Sequence, residues 1–330
     1  MTCMSSSTPS RPSVLVTRLW PQDALDTLGQ AFDVQCNASD VPLSHDALAD
    51  ALLRYDALCP TITDRIDAEM LSQPGMRTRI IANFGAGVEH IDLAAAKTAG
   101  IAVTNTPDIL TEATAELAIL LMLMVARRAC EGERQLREGE WPGWHPTHLM
   151  GRDLAGLTLG LVGFGRIGQQ TARLAHALWG TRTLYHSRKV SLAPADLADA
   201  RFEPALDKLL AEADIVSLHC PGGDATRHLI DARALERMKP GAILINTARG
   251  SVVDEIALAD ALASGRMGGA GLDVYEREPA VEPALLGAPN AVLLPHLGSA
   301  TVETRTRMGL RALENLTAYF AGEDPRDRVA

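Results

Sequence analysis

The run Leu157-Thr158-Leu159-Gly160-Leu161-Val162-Gly163-Phe164-Gly165-Arg166-Ile167-Gly168 constrains this chain more than any other stretch. Leu157, Leu159, Leu161 and Val162 suit a strand buried on both faces, and Gly163, Gly165 and Gly168 follow in G-x-G-x-x-G order where such a strand turns into a helix. Gly163 permits the tight turn, Gly165 lets a pyrophosphate approach the backbone, and Gly168 lets the helix pack closely on its strand. Arg166 and Ile167 complete the turn, and the unpaired N–H groups that open the helix face the phosphates, where the helix dipole favours negative charge. A bound dinucleotide is the expectation. Ile167, Leu174, Ala175 and Leu178 recur at helical spacing before Gly180, and Thr183 to Tyr185 begins the next strand.

The end of that second strand bears on which dinucleotide. A site for NAD usually places Asp or Glu about 20 residues beyond the glycines, to accept hydrogen bonds from the ribose 2′-hydroxyl. Here the strand ends Tyr185-His186-Ser187-Arg188-Lys189, with no acid. A carboxylate would repel a 2′-phosphate, whereas Ser187 can hydrogen-bond it and Arg188 and Lys189 can make charge-assisted contacts. NADP(H) is therefore expected in preference to NAD(H).

A chain of 330 residues, 47% hydrophobic, is long enough for two domains with separate cores. Its 31 basic and 41 acidic residues give a net charge of −10, which argues against a partner bound through phosphate backbones. Cys3, Cys36, Cys59, Cys130 and Cys220 are scattered without C-x-x-C spacing, so neither a disulfide framework nor a zinc site is expected, and a reducing cytoplasm fits best. The opening MTCMSSSTPSRP lacks the apolar run of a secretory signal and reads as a disordered arm. Leu117 to Ala126 is too short to cross a bilayer and reads as a buried helix.

From Ser13 onward a β-α rhythm runs through VLVT, FDVQ, YDALC, RIIANF and IAVTN, with helices over Asp23 to Ala31, His45 to Leu53 and Leu93 to Ala99. That alternation implies a parallel sheet covered by helices, an α/β unit without a G-x-G-x-x-G of its own. Within it, Phe84-Gly85-Ala86-Gly87 follows the strand Arg79 to Ala82, and two close glycines there can expose several N–H groups to an anion such as a carboxylate. Thr111 to about Arg137 reads as one long helix, apolar almost all round in its first half and crossing into the second domain. Trp141-Pro142-Gly143-Trp144-His145-Pro146 is too proline-rich for a helix and reads as an interface, a lid or cover for the core; Pro146 argues against a metal pair at His145 and His148. Strands at Asp214 to Leu218, Ala242 to Asn246, Ala270 to Val274 and Val292 to Leu294 extend the second sheet, with helices around Ala232 to Met238 and Glu255 to Ala263. Thr301 to Phe320 reads as a terminal helix and Gly322 to Ala330 as a loose polar tail.

Three ionisable residues fall just past apolar strands of the second domain: Arg249 in INTARG, Glu278 in YEREP and His296 in LLPHLGSAT. Beside a nicotinamide they meet the needs of carbonyl reduction: a proton donor near neutral pH, a cation to fix and polarise an α-keto acid, and a carboxylate to hold the imidazolium. At these residues the chain resembles the D-specific 2-hydroxyacid dehydrogenases, through NFGAGVEHID, TEATAELAILLML, LVGFGRIGQ, INTARGSVVDE, GLDVYEREP and LPHLGSAT in order, and within that family it looks most like the glyoxylate/hydroxypyruvate reductases. The resemblance implies an α/β fold of two Rossmann-like, flavodoxin-like doubly wound parallel-sheet domains with an active-site cleft between them. It also implies a discontinuous substrate domain (1–108 and 298–330), a dinucleotide-binding domain (109–297) and a homodimer formed through the latter. By the same resemblance Arg249 binds the substrate carboxylate and carbonyl, His296 is the general acid/base, and Glu278 hydrogen-bonds His296 and favours its charged form. Asp273 contacts the nicotinamide amide, Thr247 and Pro221 line the cofactor cleft, and Phe84 to Gly87 bind the substrate carboxylate. Glu278, where the formate-oxidising branch has glutamine, argues against formate. The expected reaction is NAD(P)H-dependent reduction of glyoxylate or hydroxypyruvate. The rivals are a bulkier 2-oxo acid, phosphite, or a non-enzymatic NAD(H)-sensing scaffold of the same fold.

Overall fold

Apolar runs without alternation require sheets covered on both faces, and both sheets of this protein are of that kind. The structure, a computed structural model, describes residues 11–188, 190 and 193–330; Lys189 and residues 1–10, Cys3 among them, lie outside the described residues. The chain divides into two units, one that ends at Leu110 and resumes over Thr301–Ala330, and one over Thr111–Ala300.

Among the described residues, the first unit holds β1 (Ser13–Val16), β2 (Asp33–Cys36), β3 (Ala57–Cys59), β4 (Ile80–Ala82) and β5 (Ala102–Thr104), in the order β2-β1-β3-β4-β5 with every pair parallel. The strand period of two sends Val14, Val16, Ala57 and Ile80 to one face, under Leu28 and Leu316, and Leu15, Leu58, Ile81 and Val103 to the other, under Leu48, Leu52 and Leu71. The terminal helix Val302–Phe320, capped by Thr301 accepting from the Thr304 N–H, returns to this unit. Its Gly309 is the point of closest approach to helix Gln22–Ala31, since a Cβ there would lie 2.6 Å from the Ala24 Cβ and 3.2 Å from the Trp20 ring. The tail beyond that helix is not loose. It runs antiparallel to β5, with the Val329 N–H donating to the Val103 carbonyl (2.8 Å) and the Val103 N–H to that of Ala330 (3.1 Å), while buried Asp327 accepts from Arg311 (3.3 Å) and Asn315 (3.2 Å). The otherwise open edge of β5 and one buried carboxylate hold it, and neither is legible from the tail's polar composition.

The second unit builds β6 (Thr158–Val162), β7 (Arg182–His186), β8 (Arg201–Phe202), β9 (Ile215–Leu218), β10 (Ile243–Asn246), β11 (Gly269–Leu272) and β12 (Ala291–Leu293), all paired in parallel in the order β12-β11-β10-β9-β6-β7-β8. The order reverses between β6 and β9, the switch point beyond whose strand ends a ligand binds in sheets of this kind. The stretch read as one helix to Arg137 is two helices, Thr111–Ala126 and Ala129–Glu138. Arg128 between them has φ 52°, and the Arg152 N–H takes the Ala126 carbonyl at 2.9 Å, where the helix would have used it itself. Helix Thr111–Ala126 packs Leu121 against β11 at Gly271, where a Cβ would lie 2.9 Å from the Leu121 Cβ, yet Leu120 and Leu123 on its other side are exposed, so it is not buried all round. Helix Arg166–Trp179 buries Gly168, Thr171, Ala172 and Ala175, small residues that bring it close to the sheet, while Leu178, one of the apolar residues at helical spacing, is exposed. Trp141 and Trp144 are exposed as well, at 50% and 82%, which removes the reading of their loop as core cover. Among the described residues no helix is long and apolar enough to cross a membrane.

Candidate active site

Gly163, directly after β6, has φ 97°, and a Cβ there would stand 2.6 Å from the His219 carbonyl and the Cys220 nitrogen at the end of β9. A Cβ on Gly168 would meet the Gly163 carbonyl at 2.5 Å, which is why the helix can begin this near its strand. Gly165, the N-cap of the helix, differs: a Cβ there would meet nothing within 4 Å. The space in front of the turn is therefore open where a pyrophosphate would lie against the helix N-terminus carrying Arg166 and Ile167, and the residues present fit a dinucleotide.

Neighbouring strand ends frame that space. The Gly163 N–H donates to the His186 carbonyl at 2.8 Å, so Ser187 and Arg188, the two residues after β7, follow immediately beside the turn. On β9's side, burial pushes the Cys220 thiol up to about 11, partly opposed by the positive charge of Arg188, so the exposed guanidinium lies within electrostatic reach of Cys220 and its neighbour Pro221. Past β10, the Thr247 hydroxyl is buried and has no partner among the described residues, an orphan donor of the sort a bound group satisfies. Burial lowers His219 to about 4, leaving it neutral at pH 7 beside the Ser217 hydroxyl at 2.9 Å.

The three ionisable residues singled out in the sequence lie on loops after β10, β11 and β12. The His296 Nδ1 is 2.8 Å from Glu278 Oε2, and the other Glu278 oxygen accepts from the Tyr275 N–H at 3.0 Å. Each of the two side chains is about a third exposed, His296 at 34% and Glu278 at 33%, so the pair is fixed yet open to a ligand. Burial pushes the Glu278 carboxyl up, but the hydrogen bond and charge of His296, the Tyr275 N–H and the charge of Arg249 together hold it below its ordinary value. With Nδ1 turned to the carboxylate, Nε2 is the nitrogen left for other chemistry.

Backbone clamps hold these loops. His296 itself has φ 56°, and its N–H donates to the Asp273 carbonyl at 2.9 Å. Asp273, fully buried, accepts from the Leu297 N–H (2.6 Å) on one oxygen and the Gly298 N–H (2.8 Å) on the other, while Thr114 donates to the Gly298 carbonyl at 3.1 Å. Burial raises the Asp273 carboxyl, against the pull of those N–H groups and of His296. Arg249 sits on a turn pinned by Asn246, whose amide donates to the Arg249 carbonyl (3.0 Å) and accepts from the Ala248 N–H (3.0 Å). Gly222 leaves room for its stem, since a Cβ there would come within 2.9 Å of the Arg249 Cγ, and Gly250 lets this turn lie against the Tyr275–Glu276 peptide.

Sequence reasoning missed Glu255. It opens a helix after the Asp254 cap and reads there as an ordinary acid complementing the helix dipole. In the structure it is buried and accepts from the Glu276 N–H at 2.6 Å, tethering the loop that carries Glu278; no local signal distinguishes that role from capping. In the first unit, Phe84 to Gly87 follow β4, half-buried, with the Phe84 ring tilted against that of Trp20 at 4.9 Å between centroids. Cys36, Cys59, Cys130 and Cys220 are free thiols.

Comparison with known proteins bears on these features. Residues 119–298 match the family described as D-isomer specific 2-hydroxyacid dehydrogenase, NAD binding domain. A glyoxylate reductase of Aeropyrum pernix is 44% identical over 325 residues, covering 97% of this chain and 96% of its own length. A protein of known structure from Thermus thermophilus is 46% identical with a TM-score of 0.88, over 96% of this chain and all of the other. The NADPH-dependent glyoxylate/hydroxypyruvate reductase of Sinorhizobium meliloti, solved with NADP and malonate, is 35% identical with a TM-score of 0.83 over 97% of each chain. With two parallel α/β sheets, a glycine turn at the switch point, and matches of this extent, the chain belongs to the D-isomer-specific 2-hydroxyacid dehydrogenases, a family of oxidoreductases with an NAD-binding domain.

Proposed function

We propose that this protein reduces a small 2-oxo acid, glyoxylate or hydroxypyruvate, to the D-2-hydroxy acid with NADPH as reductant. The observation that carries the reading is the His296–Glu278 pair at 2.8 Å, with Arg249 near enough to bias the same carboxylate, on loops of the sheet that holds the glycine turn. Relatives named for glyoxylate and hydroxypyruvate reduction support the substrate class over a bulkier acid or phosphite, and an enzyme over a nucleotide-sensing scaffold. When bound, the nicotinamide supplies the hydride. Arg249 holds the carboxylate and carbonyl oxygen of the substrate and offsets negative charge that develops on that oxygen. His296 delivers the proton from Nε2, and Glu278 fixes the ring through Nδ1 and balances the imidazolium. Asp273 holds the peptides after His296, Thr247 and Pro221 border the cofactor, and Phe84 to Gly87 of the first unit receive the substrate carboxylate. A homodimer through the second unit belongs to the same reading, supported by the exposed Trp141 and Trp144.

NADPH rather than NADH follows from the end of β7, where Ser187 and Arg188 stand in place of an acid. A charge-assisted hydrogen bond to a 2′-phosphate contributes about 1.5–3 kcal/mol, roughly 10- to 100-fold in affinity. Arg188→Ala therefore raises the KM for NADPH by about that factor and changes the KM for NADH by less than about twofold, as read by steady-state kinetics with each cofactor. Equal effects on the two would show that Arg188 does not touch a 2′-phosphate. The substrate reading is tested by kcat/KM across a panel of glyoxylate, hydroxypyruvate, 2-oxoisovalerate and phosphite, with the two small 2-oxo acids expected to lead.

A further inference from the structure

In the first unit three consecutive carbonyls of the loop after β4 are held by side-chain amides, and two asparagines supply them. Asn83 is buried, 1% exposed, and its side-chain Nδ2 donates to the carbonyls of both Gly85 (3.1 Å) and Gly87 (2.8 Å). Asn105, after β5, donates through its own Nδ2 to the carbonyl between them, that of Ala86, at 2.7 Å. The Thr106 N–H also takes the Gly85 carbonyl, at 2.9 Å. The Asn83 amide cannot rotate out of this role. Its Oδ1 lies 3.0 Å from His90 Nε2, which must donate because the amide oxygen has no proton to give.

In a trans peptide the N–H points opposite to the C=O before it. With the carbonyls of Gly85, Ala86 and Gly87 each held by an asparagine amide, the N–H groups of Ala86, Gly87 and Val88 each point away from that amide, and among the described residues none of the three has an acceptor. Successive N–H groups left open in this way are the material of an anion-binding concavity. A Cβ on Gly85 would lie 3.4 Å from the Asn83 amide nitrogen, in contact with the group that holds the loop.

We propose that Asn83, held by His90, and Asn105 are positioning residues for substrate: by capturing three consecutive carbonyls they aim the Ala86, Gly87 and Val88 N–H groups at the carboxylate of the 2-oxo acid. This rests on the reading that the loop receives that carboxylate. The asparagine amides act through the backbone of their own loop, so their removal acts on KM rather than on kcat.

The test measures Asn83→Ala, Asn83→Asp and Asn105→Ala chains by steady-state kinetics with glyoxylate, and by inhibition with oxamate as a carboxylate probe. The expected result is a rise of about tenfold or more in KM and in the oxamate inhibition constant, the scale of one or two lost hydrogen bonds to a charged group, with kcat within a few-fold and the KM for NADPH unchanged. Asn83→Asp keeps the shape of the side chain but removes both donors, so it should match or exceed Asn83→Ala. Wild-type KM in a folded Asn83→Asp chain overturns the proposal. Hydrogen exchange on the wild-type protein reads the underlying assignment separately: oxamate with NADPH should slow exchange of the Ala86–Val88 amides. Slowed exchange with unaltered variants leaves the loop as the carboxylate site and refutes the asparagine role, whereas unchanged exchange in the wild type refutes the site itself.

Discussion

His296→Gln lowers kcat for reduction of glyoxylate by about 10²- to 10⁴-fold, the usual contribution of a positioned general acid, while the KM for NADPH stays within about twofold. Glutamine preserves volume and a hydrogen bond to Glu278 but carries no transferable proton, so the loss isolates proton delivery from packing. Glu278→Gln falls between the two. The 2.8 Å contact survives as a neutral hydrogen bond that still orients the ring, while the negative charge beside the proton donor is gone, so kcat falls by less than in His296→Gln. In the wild type Glu278 is held below its ordinary carboxyl range, so it is ionised throughout the neutral region and the support its charge gives is lost only as the pH falls through that lowered value, which a pH profile of kcat reads. A His296→Gln chain with near wild-type kcat would remove His296 from the chemistry.

Arg249→Ala is the second large effect. One side chain is assigned both to orient the substrate carboxylate and to offset charge on the carbonyl oxygen, so KM and kcat move together and kcat/KM falls by about 10³-fold or more. Arg249→Lys restores charge without the planar fork and recovers only part of the loss. NADPH titrated by fluorescence should bind both variants nearly as tightly as wild type, because Asn246 still pins the Arg249 carbonyl and the Ala248 N–H when the guanidinium's own bond to the Ala248 carbonyl (2.6 Å) is lost. Loss of NADPH binding in parallel with turnover would make Arg249 a structural residue of the cofactor site instead.

What could be read in the sequence was local in origin. The glycine turn, the parallel α/β rhythm and the strand-end trio each occupy a few consecutive residues whose types follow from one requirement, such as a close backbone approach at Gly163 or Gly168. What escaped depended on partners distant in the chain. The break at Arg128 is tied to Arg152 taking the Ala126 carbonyl, and the tail is ordered by β5 and by Arg311 and Asn315. Leu178 reads as a core residue because helical period alone cannot show that Gly168, Thr171, Ala172 and Ala175 face the sheet. Asn83 was likewise legible as part of NFGAGVEHID, but that its amide bridges two carbonyls of its own loop is a three-dimensional fact.

The central claim is that the loops carrying Arg249, Glu278 and His296 direct reduction of a small 2-oxo acid to one hand of product. The most direct measurement is turnover of hydroxypyruvate with NADPH deuterated at its reactive nicotinamide carbon, followed by chiral analysis of the glycerate formed. Deuterium on the hydroxyl-bearing carbon and the D configuration are the expected result. Glycerate without deuterium, L-glycerate, or no oxidation of NADPH by hydroxypyruvate or glyoxylate would contradict it.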